Sequence, residues 1–166
     1  MILQNWWYTT LMGIKEPIQP PLRSHIKADV LIIGGGATGL AAALRLMDKG
    51  VDVVLLERNI CGGSSTGKSA GFLTPDSELE LHQLCRRYGN QAAREIWDAP
   101  CGAIDGLVRN IEKYQIECGL LKQDSLFLGL GKHGYEAAKS ELECREQVGF
   151  NDQKLYEEAQ LRSILG

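Results

Sequence analysis

The sequence predicts an α/β fold, and three neighbouring segments carry the prediction. The runs ADVLIIGG (28–35) and VDVVLLE (51–57) are short, apolar and rich in β-branched residues, which is typical of buried strands. Between them, residues 37–49 are dominated by alanine, leucine and methionine and stop before Gly50, as a helix does. Together they make one β-α-β unit of about 30 residues, whose strands are parallel and whose crossover is right-handed.

The remaining elements follow from chain breakers and periodicity. Residues 1–27 form an arm with a tryptophan pair and several prolines, which predicts an extended lead-in. Apolar residues recur at helical spacing over 81–88 and 104–111, and Pro100 is expected to separate or kink two helical pieces between residues 91 and 114. The same kinds of signal predict a hairpin over 118–130, turning at Gln123–Asp124, and helices over 135–148 and 157–166.

Length and composition exclude several classes of protein. The chain has 166 residues, about one domain, with 44% apolar and 23% charged residues, so it is neither disordered nor fibrous. A net charge of −3 excludes a nucleic-acid partner bound through overall positive charge. The longest nearly apolar run, 30–44, is shorter than the roughly 20 residues of a membrane helix, and the N-terminus lacks the basic start of a signal peptide. We therefore expect a cytoplasmic protein with no membrane span.

Cysteine and histidine usage predicts neither disulfides nor a metal site. The five cysteines are odd in number and form no CxxC pair. The three histidines lack the spacing of metal ligands. Reduced thiols in a cytosolic setting are therefore expected.

The strongest functional signal is GGGATG (34–39), which lies directly between the first strand and the helix. It matches GxGxxG, the dinucleotide-binding fingerprint of Rossmann-like folds. Gly34 permits the tight turn, Gly36 admits a pyrophosphate, and Gly39 lets the helix pack against the strand. Glu57 ends the second strand 23 residues after Gly34, near the spacing of about 20 expected for the carboxylate that binds a ribose. Because a carboxylate there repels the 2′-phosphate of NADP, the predicted ligand is FAD or NAD.

A second glycine-rich stretch, GGSSTGKS (62–69), satisfies the P-loop pattern GxxxxGK[ST]. A P-loop needs a strand that runs straight into the glycines and a helix that begins at the Lys-Ser pair. Here residues 58–61 intervene after the strand, and Gly71 and Pro75 disfavour a helix. No later strand ends in an aspartate suited to hold magnesium. A P-loop NTPase acting through Gly62–Ser69 is therefore the less favoured alternative.

The same stretch has another interpretation, which rests on resemblance. ERNICGGSSTGKSAGFLTP (57–75), together with DVLIIGGGATGLAAALRLMDKGVDVVLLER (29–58), resembles the FAD-dependent oxidoreductases of the D-amino-acid oxidase and glycine oxidase type. In that family a small-residue loop of the form GAS-x-x-x-AG follows the second strand and enters a helix beside the flavin, although Lys68 departs from the family pattern. The arm, NWWYTT followed by prolines, resembles the subgroup that includes the gamma-glutamylputrescine oxidoreductases.

The resemblance implies a Rossmann-like FAD-binding domain, the N-terminal portion of a glutathione-reductase-type two-domain fold. In these terms residues 1–27 are the arm, and residues 28–166 are an FAD-binding portion that stops before the substrate domain is complete. The chain is therefore expected to be an N-terminal fragment that is inactive alone, and to self-associate or to require a missing C-terminal half.

The implied activity is oxidation of a small-molecule amine or amino acid by hydride transfer to the flavin. An NAD-linked dehydrogenase and a non-catalytic remnant that binds a dinucleotide remain as alternatives. No residue is nominated as catalytic. The residues implied to bind FAD lie in the glycine turn, at the end of the second strand and in the loop that follows it. They are Gly34, Gly36, Ala37, Thr38, Gly39, Glu57, Arg58, Ser64, Ser65, Thr66, Ser69, Ala70 and Gly71.

Overall fold

The chain folds as two units, residues 1–72 and 73–166. The structure, a computed structural model, describes Trp7, Thr9 and residues 19–75 and 77–165. Most of the predicted arm, Trp6 included, lies outside the described residues. Residues 19–28 contain no helix or strand and are exposed.

The first unit contains the predicted β-α-β unit, and its strands and helix are confirmed. Its elements are strand β1 (Val30–Ile33), helix α1 (Ala37–Met47) and strand β2 (Val53–Leu56). The two strands are parallel, with Val30 opposite Val53 and Ile33 opposite Leu56. Because the strands are in register, they end together, and the residues that follow each of them start side by side.

Helix α1 covers one face of this two-stranded sheet. Ile32 lies beneath the helix, since a Cβ built on Gly39 would come within 3.4 Å of its Cγ2 atom. Leu31 and Ile33 point the other way and are largely exposed. Their exposure differs from the two-sided burial that continuous apolar strands predict, because the described sheet has two strands and one helix to cover them.

The second unit is helical. It contains α2 (Leu81–Tyr88), α3 (Asn90–Lys113), α4 (Gly131–Gln147) and α5 (Glu158–Leu165). Helix α2 packs against both α3 and α4. Burial of a large apolar side chain stabilises a fold by about 1.5–3 kcal/mol, so these contacts hold the three helices together. The buried core consists of Leu81, Leu84, Ala93, Trp97 and Cys144.

Glu141, on α4, caps the N-terminus of α2. Its carboxylate accepts the backbone N–H of Leu81 at 3.2 Å and that of His82 at 2.9 Å. Arg145 donates to Oε1 of the same carboxylate, the oxygen that also accepts the Leu81 N–H, at 2.9 Å, and it stacks over the Trp97 ring at 4.4 Å. The first N–H groups of a helix have no partner within it, so a carboxylate from a neighbouring helix satisfies them and fixes the two helices together.

Two elements differ from the sequence prediction. Pro100 lies inside a single helix, α3, so of the two outcomes predicted for it the separation into two pieces is wrong, and the kink stays a prediction. A proline removes one helical N–H, and here Ala93 and Trp97 are buried on the preceding turns and hold the helix in place. The hairpin predicted over 118–130 is also wrong, since those residues contain no strand. An isolated two-stranded hairpin is marginal, and Leu121, Phe127 and Leu130 are not covered by any of the described residues.

None of the described helices is both long enough and apolar enough to cross a bilayer.

Candidate dinucleotide-binding site

The glycine turn follows β1 directly and is shaped by close contacts of the backbone. Gly34 donates its N–H to the Leu56 carbonyl at 2.8 Å and has φ +106°, which favours glycine. A Cβ on Gly39 would lie 2.0 Å from the Gly34 carbonyl oxygen. The start of the helix therefore lies in direct contact with the end of the strand. A residue larger than glycine at position 39 would clash with the Gly34 carbonyl.

The N-terminus of α1 opens toward this turn. Gly36 is the N-cap residue and supplies no side-chain cap, and the first turn carries no acidic residue. The N–H groups of Thr38 and Gly39 have no acceptor within the helix. These donors, together with the positive end of the helix dipole, suit a bound phosphate.

Glu57 lies beside the turn because β2 ends next to β1. One carboxylate oxygen accepts the Gly35 N–H at 2.8 Å, and the other accepts the Asn59 N–H at 2.9 Å. These two hydrogen bonds hold the pKa of the Glu57 carboxyl below its usual range, so it is anionic at neutral pH. A carboxylate has about four acceptor positions, so these bonds do not exhaust its capacity to accept from hydroxyl groups of a ligand.

The loop after Glu57 folds back onto the glycine turn. Gly62 donates its N–H to the Gly35 carbonyl at 2.7 Å. Thr66 accepts the Ala37 N–H through its hydroxyl oxygen at 3.0 Å, which joins the loop to the first residue of α1. A Cβ on Gly67 would lie 2.3 Å from the Gly62 carbonyl oxygen, so the Gly34–Gly39 spacing recurs here.

Trp7, a residue of the arm, contacts the last part of the loop. The Trp7 indole N–H donates to the Ser69 carbonyl at 2.7 Å. Gly71 has φ +85°, and a Cβ there would lie 2.7 Å from the Trp7 ring. Trp7 therefore packs on the segment 69–71, the part that the family resemblance places near a flavin.

The structure brings some of the predicted FAD-binding residues into contact with one another. The turn residues 34–39, Glu57 and Thr66 are joined by the hydrogen bonds given above. The side chains of Arg58, Ser64, Ser65, Ser69 and Ala70 are exposed on the same loop.

Gly35 was missed by the sequence analysis. It joins the turn to Glu57 through its N–H and to Gly62 through its carbonyl, and a Cβ on it would lie 2.7 Å from the Cys61 sulfur. No sequence signal marks it, because the second position of GxGxxG is unspecified.

The geometry of 62–69 does not suit a P-loop. Residues Thr66–Lys68 form a short 3₁₀ turn, and Ser69 is extended at φ −65° and ψ 154°. The described residues between 69 and 80 contain no helix. A P-loop lysine and serine open an α-helix, so the alternative of a P-loop NTPase is not favoured.

Two further features belong to the second unit. Glu80, His82 and Glu141 present ligand atoms within 4.8 Å of one another. Glu141 is already bonded to two helix N–H groups and to Arg145, which makes the cluster a helix cap rather than a cation site. A cleft of about 390 Å³ is lined by Leu79, Gln83, Arg86 and Arg87 and contains none of the predicted binding residues.

Comparison with known proteins decides the family. The family model for FAD dependent oxidoreductases matches residues 29–166. The chain belongs to the FAD-dependent oxidoreductase family. FAD is accordingly its cofactor, rather than NAD, and the recognition drawn from the glycine turn and the following loop is confirmed.

Relatives of known name agree with this assignment. The chain is 30% identical over 147 residues to "Probable oxidoreductase OrdL" of Haemophilus influenzae, which is 89% of this chain and 34% of that protein. It is 28% identical over 141 residues to "Gamma-glutamylputrescine oxidoreductase" of Escherichia coli, which is 85% of this chain and 33% of that protein. The chain therefore spans about a third of the length of these relatives. No solved structure matches it.

The turn fits the pyrophosphate and ribose of FAD. A Cβ on Gly34 would meet nothing within 4 Å, and a Cβ on Gly36 would meet the Thr66 hydroxyl oxygen at 3.4 Å, so the backbone stands open on the ligand side. Glu57 is anionic and has acceptor positions to spare. Donors for phosphates and acceptors for sugar hydroxyls thus lie next to each other, in the order in which a dinucleotide presents these groups.

Proposed function

We propose that the protein is an FAD-dependent oxidoreductase that oxidises an amine or an amino acid. The observation that carries the proposal is the carboxylate of Glu57 held against the glycine turn by Gly35, in a chain of this family. The substrate class rests on the resemblance of the loop to D-amino-acid and glycine oxidases. The Escherichia coli relative is named for gamma-glutamylputrescine, which is an amine, and this name supports the same substrate class.

The glycine turn would hold the pyrophosphate of FAD. Gly34 and Gly36 carry no side chain that would crowd it, Gly39 lets α1 start close to the turn, and the N–H groups of Thr38 and Gly39 would donate to it. The Ala37 N–H donates to the Thr66 hydroxyl oxygen, which leaves the hydroxyl hydrogen of Thr66 to donate to a ligand. A phosphate oxygen is the acceptor that suits it.

Glu57 would hold the ribose of the adenosine, and the exposed loop would line the rest of the cofactor. The remaining acceptor capacity of the Glu57 carboxylate suits the hydroxyls of a ribose. Arg58 adjoins Glu57, and Ser64 and Ser65 offer hydroxyl donors to the phosphates. Residues 69–71, with Trp7 packed on them, would approach the flavin ring, since small residues let a backbone lie close to a flat ring.

When bound, FAD supplies the acceptor for a hydride from the substrate C–H bond, which leaves an imine that water hydrolyses. The described residues bind and orient the cofactor for this step. None of them is assigned as catalytic acid, base or nucleophile.

The whole protein would have the two-domain arrangement implied by the resemblance. Residues 28–166 would form part of the FAD-binding domain, preceded by the arm 1–27. None of the described residues is assigned to the substrate-binding surface. We propose a cytoplasmic location, as expected from the sequence.

An absorption spectrum of the purified full-length protein tests the proposal. Flavin bands near roughly 370 and 450 nm are expected, and the extracted cofactor should be FAD. Anaerobic addition of amines and amino acids should bleach the band near about 450 nm for at least one of them. A colourless protein that takes up no FAD would overturn the cofactor site, whereas a yellow protein that no amine or amino acid reduces would overturn the substrate class alone.

A further inference from the structure

Two cysteine thiols meet in the core of the helical unit. Cys85 lies on α2 and Cys144 on α4, and their sulfur atoms are 2.8 Å apart. Cys144 is buried, whereas Cys85 is half-buried and is partly open to solvent. Both residues pack with the core around Leu84 and Trp97, so the backbones that carry them are held in place on two separate helices.

We propose that Cys85 and Cys144 are a reversible dithiol site, which a small-molecule disulfide oxidises to an intramolecular disulfide between α2 and α4. The chain carries both as free thiols. The site lies in the second unit and does not depend on the proposed function, since neither cysteine belongs to the candidate cofactor site.

The two sulfurs have different roles in the exchange. Burial, together with the contact with Cys85, raises the pKa of Cys144 to about 12, so Cys144 is a protonated thiol at neutral pH. Cys85 is the more exposed sulfur and is the one that an external disulfide reaches first. Cys144 is within contact distance of it and attacks second.

The exchange balances as two successive displacements. Cys85 loses its thiol proton to solvent and attacks one sulfur of the small-molecule disulfide, a mixed disulfide forms, and the first small thiolate leaves and takes up a proton. Cys144 loses its proton and attacks the Cys85 sulfur, and the second small thiolate leaves and is protonated. Two protein thiols have then lost two electrons and two protons, and the oxidant has become two thiols.

The cross-link would tie the helices that Glu141 already joins. Residues 85 and 144 are 59 positions apart, so the disulfide closes a long loop of the unfolded chain. Closing a loop of this length raises the melting temperature of a domain of this size by about 5–15 °C. A thiol reductant reaches the bond through the Cys85 sulfur, so reduced glutathione reverses the link.

The test uses the full chain in buffers of oxidised and reduced glutathione. We expect the count of reactive thiols in the denatured protein to fall from five to three. The mass should fall by about 2 Da, and non-reducing peptide mapping should join the peptides of Cys85 and Cys144. Cys85→Ser and Cys144→Ala should each abolish the link, whereas Cys101→Ser, a half-buried neighbour of the same core, should keep it.

Three results would overturn the inference. They are five thiols persisting in oxidised glutathione, a disulfide that joins other cysteines, and glutathione retained on Cys85. If a variant does not fold, the peptide map of the wild-type chain decides alone.

Discussion

Gly39 provides a sharp test of the glycine turn. In Gly39→Ala the new Cβ would lie 2.0 Å from the Gly34 carbonyl oxygen and 3.4 Å from Ile32. A carbon and an oxygen in contact stand about 3.3 Å apart, so α1 must withdraw from β1 by more than about 1 Å. Displacements of this kind cost about 1–3 kcal/mol of folding free energy, and they also move the helix N-terminus away from the pyrophosphate.

The assay is urea unfolding followed by circular dichroism, together with FAD affinity by fluorescence quenching. Gly39→Ala should unfold at lower urea and bind FAD weakly. Gly36→Ala is expected to keep the fold, because its Cβ meets Thr66 at an ordinary 3.4 Å, but to lose FAD affinity.

The matched control is Gly102→Ala, inside α3, where a Cβ meets nothing within 4 Å. It should raise the free energy of unfolding by about 0.5–1 kcal/mol and leave FAD binding unchanged. Wild-type stability and wild-type FAD affinity in Gly39→Ala would refute the close approach of α1 to the turn.

Three further predictions concern single side chains. Glu57→Gln should weaken FAD binding about tenfold to a hundredfold, because the amide has one acceptor fewer for the ribose or for the Gly35 N–H. The control Glu158→Gln, at an exposed position, should leave FAD binding unchanged. Equal affinities in the two variants would place the adenosine elsewhere. Lys68→Ala should leave FAD binding intact, and neither it nor the wild type should hydrolyse ATP with magnesium; hydrolysis lost in Lys68→Ala would revive the P-loop. Burial alone would raise the pKa of Glu141, but the N–H groups of His82 and Leu81, the His82 ring and Arg145 together hold it below its usual range. The Glu141 carboxylate therefore contributes fully to stability at neutral pH, and this contribution is lost as the pH falls below about 4.5. Glu141→Gln should lower the free energy of unfolding by about 1–2 kcal/mol at pH 7 and by less at pH 3. An equal loss at both pH values would contradict the cap.

The parts of the fold that the sequence predicted well are those where local signals agree. β1, α1 and β2 are each marked by composition and by glycines at their ends, and the parallel pairing follows from the β-α-β order. The position of Glu57 was predictable for the same reason, because a residue after β2 must lie beside the turn after β1. Its role toward the cofactor stays a prediction.

The features that sequence reasoning missed depend on contacts between distant residues. Gly35 acquires its importance from Glu57 and Cys61, and the pairing of Cys85 with Cys144 depends on how α2 meets α4. The hairpin predicted over 118–130 failed for the opposite reason. Its alternation of apolar residues is a local signal, and the described chain offers those side chains no surface to pack on.

The position of Glu141 also determines how the start of α2 exchanges its amide hydrogens with solvent. The first N–H groups of a helix usually exchange fast, because they have no partner in the helix. Here the Leu81 and His82 amides are held by a carboxylate of α4, so their hydrogens exchange when the two helices separate. The first turn of α2 then opens in one cooperative step with α4, although some 60 residues of chain lie between them. Slow exchange at these two amides is thus a direct measure of how long the two helices stay docked.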